Sequence, residues 1–474
     1  MKILFKYFLI WALFISGNQI YAQSKFKIAC VGNSITYGSG LKDRLTESYP
    51  ARLQALLGTS YEVSNFGVSG ATMLKKGNKP YWNTPEYQRV LSAAPDLIFI
   101  KLGTNDSKLI NREQMPGFEA DYKEMIRTFK ALSSKPRVVL LLPIKAFSDE
   151  KFGISGSYLK ASMIPVIQKI AYEEQLEILD LYSLFADKEA LLADKIHPNA
   201  VGDNFIALRL ESFLRQQTKP GKALSKKISV PLQKEQFYGY EVLNFSFQGR
   251  TAKIVQPKQV AKGMPWIWRA RFWGHEPQTD IALLERGFHV VYCDVAELFG
   301  NPEAIRIWNG FYAYLRKMGF ARKAVLEGMS RGGVYVYNWA AANPEKVACV
   351  YADNPVLDLK SWPGGKGQGP GNKESWNAFL KDYGYETETA AMAFKGSPID
   401  QIEAIVRGKY PMLHVCGDQD EVVPMSENSL PFAEKIKLAG GDIQLIHKPE
   451  GKHHPHSLPN PQPIVDFILR ATGY

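Results

Sequence analysis

The chain has 474 residues, 45% hydrophobic and 22% charged, which excludes a disordered polypeptide and one built of membrane spans. Its length is more than one ordinary core organises and fits two domains of roughly 200–250 residues. The net charge of +11 is spread along the chain with one local excess at 219–234, so no nucleic-acid partner is expected.

Residues 1–22 stand apart. Lys2 and Lys6 flank a basic start, Phe8–Ile15 form an apolar stretch, and Ala22 closes a cleavage site after Ile20 and Tyr21. The stretch is too short for a stable membrane span and reads as a secretory signal, so a secreted or periplasmic protein is expected. Four cysteines follow: Cys30, Cys293, Cys349 and Cys416. Each sits in an apolar run of strand length, where a free thiol acts as a small hydrophobe, so no disulfide is expected. Cys and His spacing gives no zinc pattern, and neither a metal nor an organic cofactor is expected.

Along 23–217, strand and helix patterns alternate. Strands are predicted at 27–31, 61–63, 97–102, 137–142 and 176–179, with helices at 51–57, 118–132 and 163–174 between them. This order predicts a parallel sheet covered on both faces, whose sites gather at the carboxyl ends of the strands. The polar motifs fall there: GNSIT at 32–36, NFGVSG at 65–70 and GTND at 103–106 each follow a predicted strand, and DKIH at 194–197 precedes the last helix. Ser34 needs a base, which His197 supplies if the last loop folds back over the sheet. Asp194 would hold that imidazole in its working tautomer. The backbone amides of Ser34 and Gly70 and the side-chain amide of Asn105 would form an oxyanion hole.

These four blocks resemble those of the SGNH (GDSL-like) hydrolases, matched in order by Ser34, Gly70, Asn105 and His197. The resemblance covers the whole first half and implies a flavodoxin-like three-layer fold. It also implies esterase activity, frequently deacetylation of carbohydrates. One departure is visible: Asn33 stands where family members often carry aspartate.

Residues 218–238 (KPGKALSKKISVPLQK lies within them) are basic and poor in aromatics and read as a solvated linker. The second domain is expected over 239–474. Strands are predicted at 245–255, 265–273, 288–291, 324–326, 347–351, 412–415 and 443–447, with helices at 280–286, 302–318 and 335–342. Strand–serine turn–helix, then strand–acid, then strand–histidine is the α/β-hydrolase order. In GMSRG at 328–332, glycines flank Ser330 because the nucleophile elbow is sharp and helix and strand approach closely there.

The acid is Asp420 or Asp418 in GDQDEVVP. Asp420 is preferred for its spacing before Pro424, which resembles that of the α/β-hydrolases. The base lies among His453, His454 and His456, and His453 fits best by distance from the preceding strand. The backbone amides of Trp273 and Arg331 are the oxyanion candidates. Ser330-Arg331 is similar to the G-C-S-R-x-G turn of glucuronoyl esterases, which cleave esters of uronic acids. That likeness would aim the Arg331 guanidinium at an oxyanion or a substrate carboxylate, while a structural brace is the competing role. Trp362 opens a glycine-rich loop, WPGGKGQGPGN, that lacks the phosphate-binding pattern. A sugar-stacking lid with Trp362 and His454 at the substrate is the expectation, against a plain surface loop.

The chain therefore reads as two fused serine hydrolases acting on small-molecule or polysaccharide esters. A peptidase or lipase in the second half, or one half reduced to glycan capture, are the alternatives.

Overall fold

The computed structural model describes residues 25–474 except Lys222; the expected export signal at 1–22 lies outside the described residues. Five strands form the first sheet: β1 (Phe26–Gly32), β2 (Tyr61–Gly67), β3 (Leu97–Lys101), β4 (Arg137–Leu141) and β5 (Glu177–Leu179). All pair in parallel in the order β2-β1-β3-β4-β5. Side chains alternate across each strand, so one strand feeds two cores. Ile28 and Cys30 face the helices Tyr49–Leu57 and Ala200–Arg215. Ala29 and Val31 face the opposite layer, with Phe118–Lys130 and Ile164–Glu173. The three-layer, flavodoxin-like expectation holds, and β1 and β3 flank the point where strand order reverses.

The second sheet has nine strands: β7 (Leu232–Phe237), β8 (Tyr240–Phe247), β9 (Arg250–Gln256), β11 (Trp266–Ala270), β12 (His289–Cys293), β13 (Ala324–Met329), β14 (Val347–Asp353), β15 (Met412–Gly417) and β16 (Ile443–Lys448). Their order is β16-β15-β14-β13-β11-β12-β9-β8-β7. The stretch from β16 to β12 is parallel, and β9, β8 and β7 close the edge antiparallel. This is the α/β-hydrolase layout expected of the second half. All four cysteines are buried within strands, and burial pushes the Cys293 and Cys416 thiols up to about 12.

Two expectations need correction. The run 245–255 is a hairpin, because Gln248 and Gly249 both take positive φ (51° and 78°) and turn β8 back into β9. Gln248-Gly249 lacks the Asn-Gly or Asp-Gly signature of such turns, which hid the break. Residues 218–238 are also more than a linker. β6 (Thr218–Pro220) pairs with β10 (Gln259–Ala261), and β7 joins the main sheet six residues before the expected end of the linker. β6 has three residues and β7 (LQKEQF) only two apolar side chains, too few to show a strand pattern in sequence.

The halves share one core. Ile167, Ile170 and Ile178 of the first meet Tyr240, Val242, Leu283 and Leu284 of the second. Glu285 crosses this boundary: its carboxylate accepts from the Asp180 backbone amide and pairs with Arg209, both ionic side chains being almost wholly buried. The Tyr240 hydroxyl donates to the Ile178 carbonyl at 3.4 Å.

Candidate active sites

In the first half, Ser34 opens a single helical turn directly after β1, and Asn33 caps it by accepting from the Ile35 amide at 3.1 Å. The cap needs only a carbonyl oxygen, which explains why asparagine serves where aspartate is usual. Asn65, on β2, donates to the Thr36 carbonyl at 2.7 Å and so ties the second motif to the Ser34 turn. The Ser34 hydroxyl lies 2.8 Å from His197 Nε2, and His197 Nδ1 lies 2.6 Å from Asp194 Oδ2. Asp194 Oδ1 accepts from the amides of Ile196 and His197. Burial works against the charged carboxylate of Asp194. Its hydrogen bonds from His197 outweigh that and hold it below the usual range.

Gly70 has φ +79°, a conformation that favours glycine. Asn105 donates one amide hydrogen to the Ala71 carbonyl at 3.0 Å, which leaves its second N–H for an oxyanion. Asp106 is the brace behind this arrangement. Its buried carboxylate accepts from the amides of Met73 and Leu74 at 3.0 and 2.8 Å, joining the Gly70 loop to the Asn105 loop.

Burial pushes the Asp106 carboxyl up to about 7 against those hydrogen bonds. An unfolded aspartate titrates at about 3.9. Between those values the folded protein keeps a proton that the unfolded chain has lost, so stability falls as pH rises through this window. Asp203, also pushed up to about 7 by burial, acts in the same direction. The Asp106→Asn variant should show a shallower, not abolished, fall in urea midpoint across that window.

In the second half, Ser330 sits between β13 and the helix Gly332–Ala342 with φ +50°. A side chain on Gly328 would meet the Gly332 carbonyl at 2.7 Å, and one on Gly332 would meet the Ala270 carbonyl at 2.9 Å. The elbow closes only with glycine at both places. Gly328→Ala is therefore expected to cost about 1–3 kcal/mol, read from the urea midpoint.

The Ser330 hydroxyl lies 2.9 Å from His453 Nε2, and His453 Nδ1 lies 2.7 Å from Asp420 Oδ2. Asp420 Oδ1 accepts from the Val422 and Val423 amides. The other candidates have different partners. Asp418 meets His447 at 2.8 Å, and His456 meets Asp353, also at 2.8 Å. His454 is exposed beside them, and burial with the neighbouring imidazoles lowers its pKa.

Arg331 is braced: Nη2 donates to the Ala296 carbonyl at 3.3 Å, and its guanidinium lies 4.3 Å from the Phe299 ring centre. The structural alternative thus fits its side chain, while its backbone amide keeps the oxyanion role open. The Trp273 ring packs against Phe237, with centroids 5.1 Å apart and planes tilted by 40°, which leaves its backbone amide as the candidate group. Trp362 is half-buried against the core beneath it, and its loop folds back on itself through bonds such as Asn372 N to the Pro363 carbonyl. That packing does not carry the expected sugar-stacking lid.

Sequence reasoning missed the supports of this site. Arg269 donates to the Phe272 carbonyl at 3.1 Å and to that of His275, fixing the loop that carries Trp273 from behind. It pairs in turn with buried Asp280 and Glu327. Burial, then the Asp280 charge, pushes the Glu327 carboxyl well up despite the pull of Arg269. Asn354, with φ +41°, donates to the carbonyls of Lys452 and His453 and accepts from Gly417, locking the base loop. The available signal was charge inside apolar strands: Arg269 within WIWRARFW and Glu327 just before the elbow.

Residues 30–204 match the GDSL-like Lipase/Acylhydrolase family, and residues 311–472 match the Prolyl oligopeptidase family. The chain thus carries a GDSL-like domain followed by an α/β-hydrolase domain. An acetylxylan esterase from Xylanibacter ruminicola is 37% identical over 198 residues, which cover 38% of this chain and 41% of that protein. The chain therefore spans about two-fifths of the curated relative it matches. Among solved structures, an acylaminoacyl peptidase from Pyrococcus horikoshii is 18% identical (52% of this chain, 41% of that one, TM-score 0.37). An aryl esterase from M. smegmatis is also 18% identical (40% of this chain, 99% of that one, TM-score 0.35). Among the described residues no helix is long and apolar enough to cross a membrane.

Proposed function

We propose that this chain is an exported, two-site serine esterase of carbohydrate esters. The first site removes acetyl groups and the second cleaves another ester, such as an acyl or uronic methyl ester. The observation that carries this reading is the paired relay: Ser34–His197–Asp194 and Ser330–His453–Asp420 each run through hydrogen bonds of 2.6–2.9 Å. The acetylxylan esterase relative supports acetyl esters as the first substrate class. The amino-terminal pattern at 1–22 supports export.

In each half, histidine takes the serine proton as the hydroxyl attacks the ester carbonyl. The aspartate stabilises the imidazolium, and preorganised amides hold the oxyanion: Ser34, Gly70 and Asn105 in one site, Trp273 and Arg331 in the other. The imidazolium returns its proton to the leaving alcohol, and water clears the acyl-enzyme by the same route. A peptidase activity in the second half is the competing reading, favoured by the family matched at 311–472.

The test is release of acetate and methanol from acetylated and methyl-esterified cell-wall polysaccharides, alongside acylated peptide amides. Ser34→Ala should abolish acetate release alone, and Ser330→Ala the second ester product alone. Peptide cleavage that depends on Ser330, without ester cleavage, would overturn the reading for the second half. If neither substitution removed any activity, the two-site reading would fail.

A further inference from the structure

Three histidines at the mouth of the second site take no part in its relay. His275 comes from the loop after β11, and His454 and His456 come from the loop after β16, beyond His453. Their ring centres lie 5.8 Å (His275–His454), 5.7 Å (His275–His456) and 4.8 Å (His454–His456) apart. One ring nitrogen from each falls within 4.8 Å of the others. Hydrophobic packing does not account for the trio, because His275 and His454 are exposed.

The cluster is also oriented from behind. Asp353, fully buried, lies 2.8 Å from His456 Nδ1 and accepts from the Ser457 amide at 2.9 Å. This leaves Nε2 as the free nitrogen of His456. A carboxylate placed behind an imidazole fixes its tautomer and raises its basicity, as the outer partners of metal-binding histidines do. His275 is anchored through its carbonyl by Arg269. Three imidazoles without a carboxylate in the inner set suit zinc, copper or nickel, not magnesium or calcium.

We propose that His275, His454 and His456 bind one divalent transition cation of the zinc type, with Asp353 positioning His456. Zinc–nitrogen bonds of about 2.0–2.1 Å in a tetrahedron put ligand nitrogens about 3.4 Å apart, so the three rings draw together on binding. The two exposed rings have the freedom to make that movement. The ion clips the loop carrying Trp273 to the loop carrying His453, two segments otherwise far apart in the chain. The spacing of His275 from the other two, across most of the domain, is why no metal motif is visible in sequence.

The test is calorimetric titration of the chelator-stripped full-length protein with Zn²⁺. One ion should bind per chain, with matching hydrogen-exchange protection of loops 271–276 and 451–457. His275→Ala and His454→Ala, both exposed positions, should each weaken binding at least about tenfold, and Asp353→Asn about 10–100-fold. His197→Ala, which removes the first-site histidine, should leave binding unchanged. Circular dichroism of each variant distinguishes ligand loss from unfolding. Absence of saturable binding, binding retained in a folded His275→Ala/His454→Ala double variant, or loss of binding with His197→Ala would each overturn the site. None of these readouts depends on the substrates proposed above.

Discussion

Ser34→Ala is expected to lower hydrolysis at the first site by ~10⁶-fold in kcat, the scale of losing the serine from a preorganised relay. The Ser34 hydroxyl is the atom 2.8 Å from the base, and nothing else in that relay carries a nucleophilic oxygen on a neutral side chain. A residual ~10³–10⁴ over water should survive, because the oxyanion donors of Gly70 and Asn105 are held by Asp106 and by the Ala71 carbonyl, independently of Ser34. The second site should keep its full rate, since the two relays share no residue. The measurement is kcat on an acetyl ester for Ser34→Ala in a Ser330→Ala background, with the second site read in Ser34→Ala alone. A loss of less than about tenfold would remove Ser34 from the nucleophile's role.

Asp420→Asn should cost the second site ~10⁴ in kcat with little change in KM. The Asp420 side chain is 1% exposed, so water cannot replace what the substitution removes. Its two oxygens accept from His453 and from the Val422 and Val423 amides. An amide group there must turn its NH₂ either toward those backbone donors or toward His453. The latter places the imidazole proton on Nε2, where it can no longer accept from Ser330. Asp194→Asn should cost less, because the Asp194 side chain is 54% exposed and solvent can take over part of its role. Its carboxyl, held below the usual range, also keeps the first relay charged as pH falls through ordinary carboxylate values. A larger loss for Asp194→Asn than for Asp420→Asn would contradict this ordering.

Both relays were legible in the sequence because their parts are local: a glycine-flanked serine after an apolar run, and a histidine in a loop whose length sets its reach. Asp420 stands out from Asp418 by its spacing before Pro424, and His453 from its neighbours by its distance from the preceding strand. What escaped was whatever depends on pairing between distant segments. The Arg269–Asp280–Glu327 group joins three elements, and no one of them reveals the others. The β8–β9 turn escaped because Gln248-Gly249 lacks the Asn-Gly or Asp-Gly signature of a two-residue hairpin. Residues 218–238 looked like coil because β6 has only three residues and β7 carries just two apolar side chains, Leu232 and Phe237.

The joint between the halves has a further implication. Arg209 and Glu285 neutralise each other from opposite sides of it, in surroundings that neither could occupy alone. The two halves should therefore melt together, in a single calorimetric peak. Excision of either half would leave one of these buried charges without its partner, so neither half is expected to fold as well alone as within the fusion.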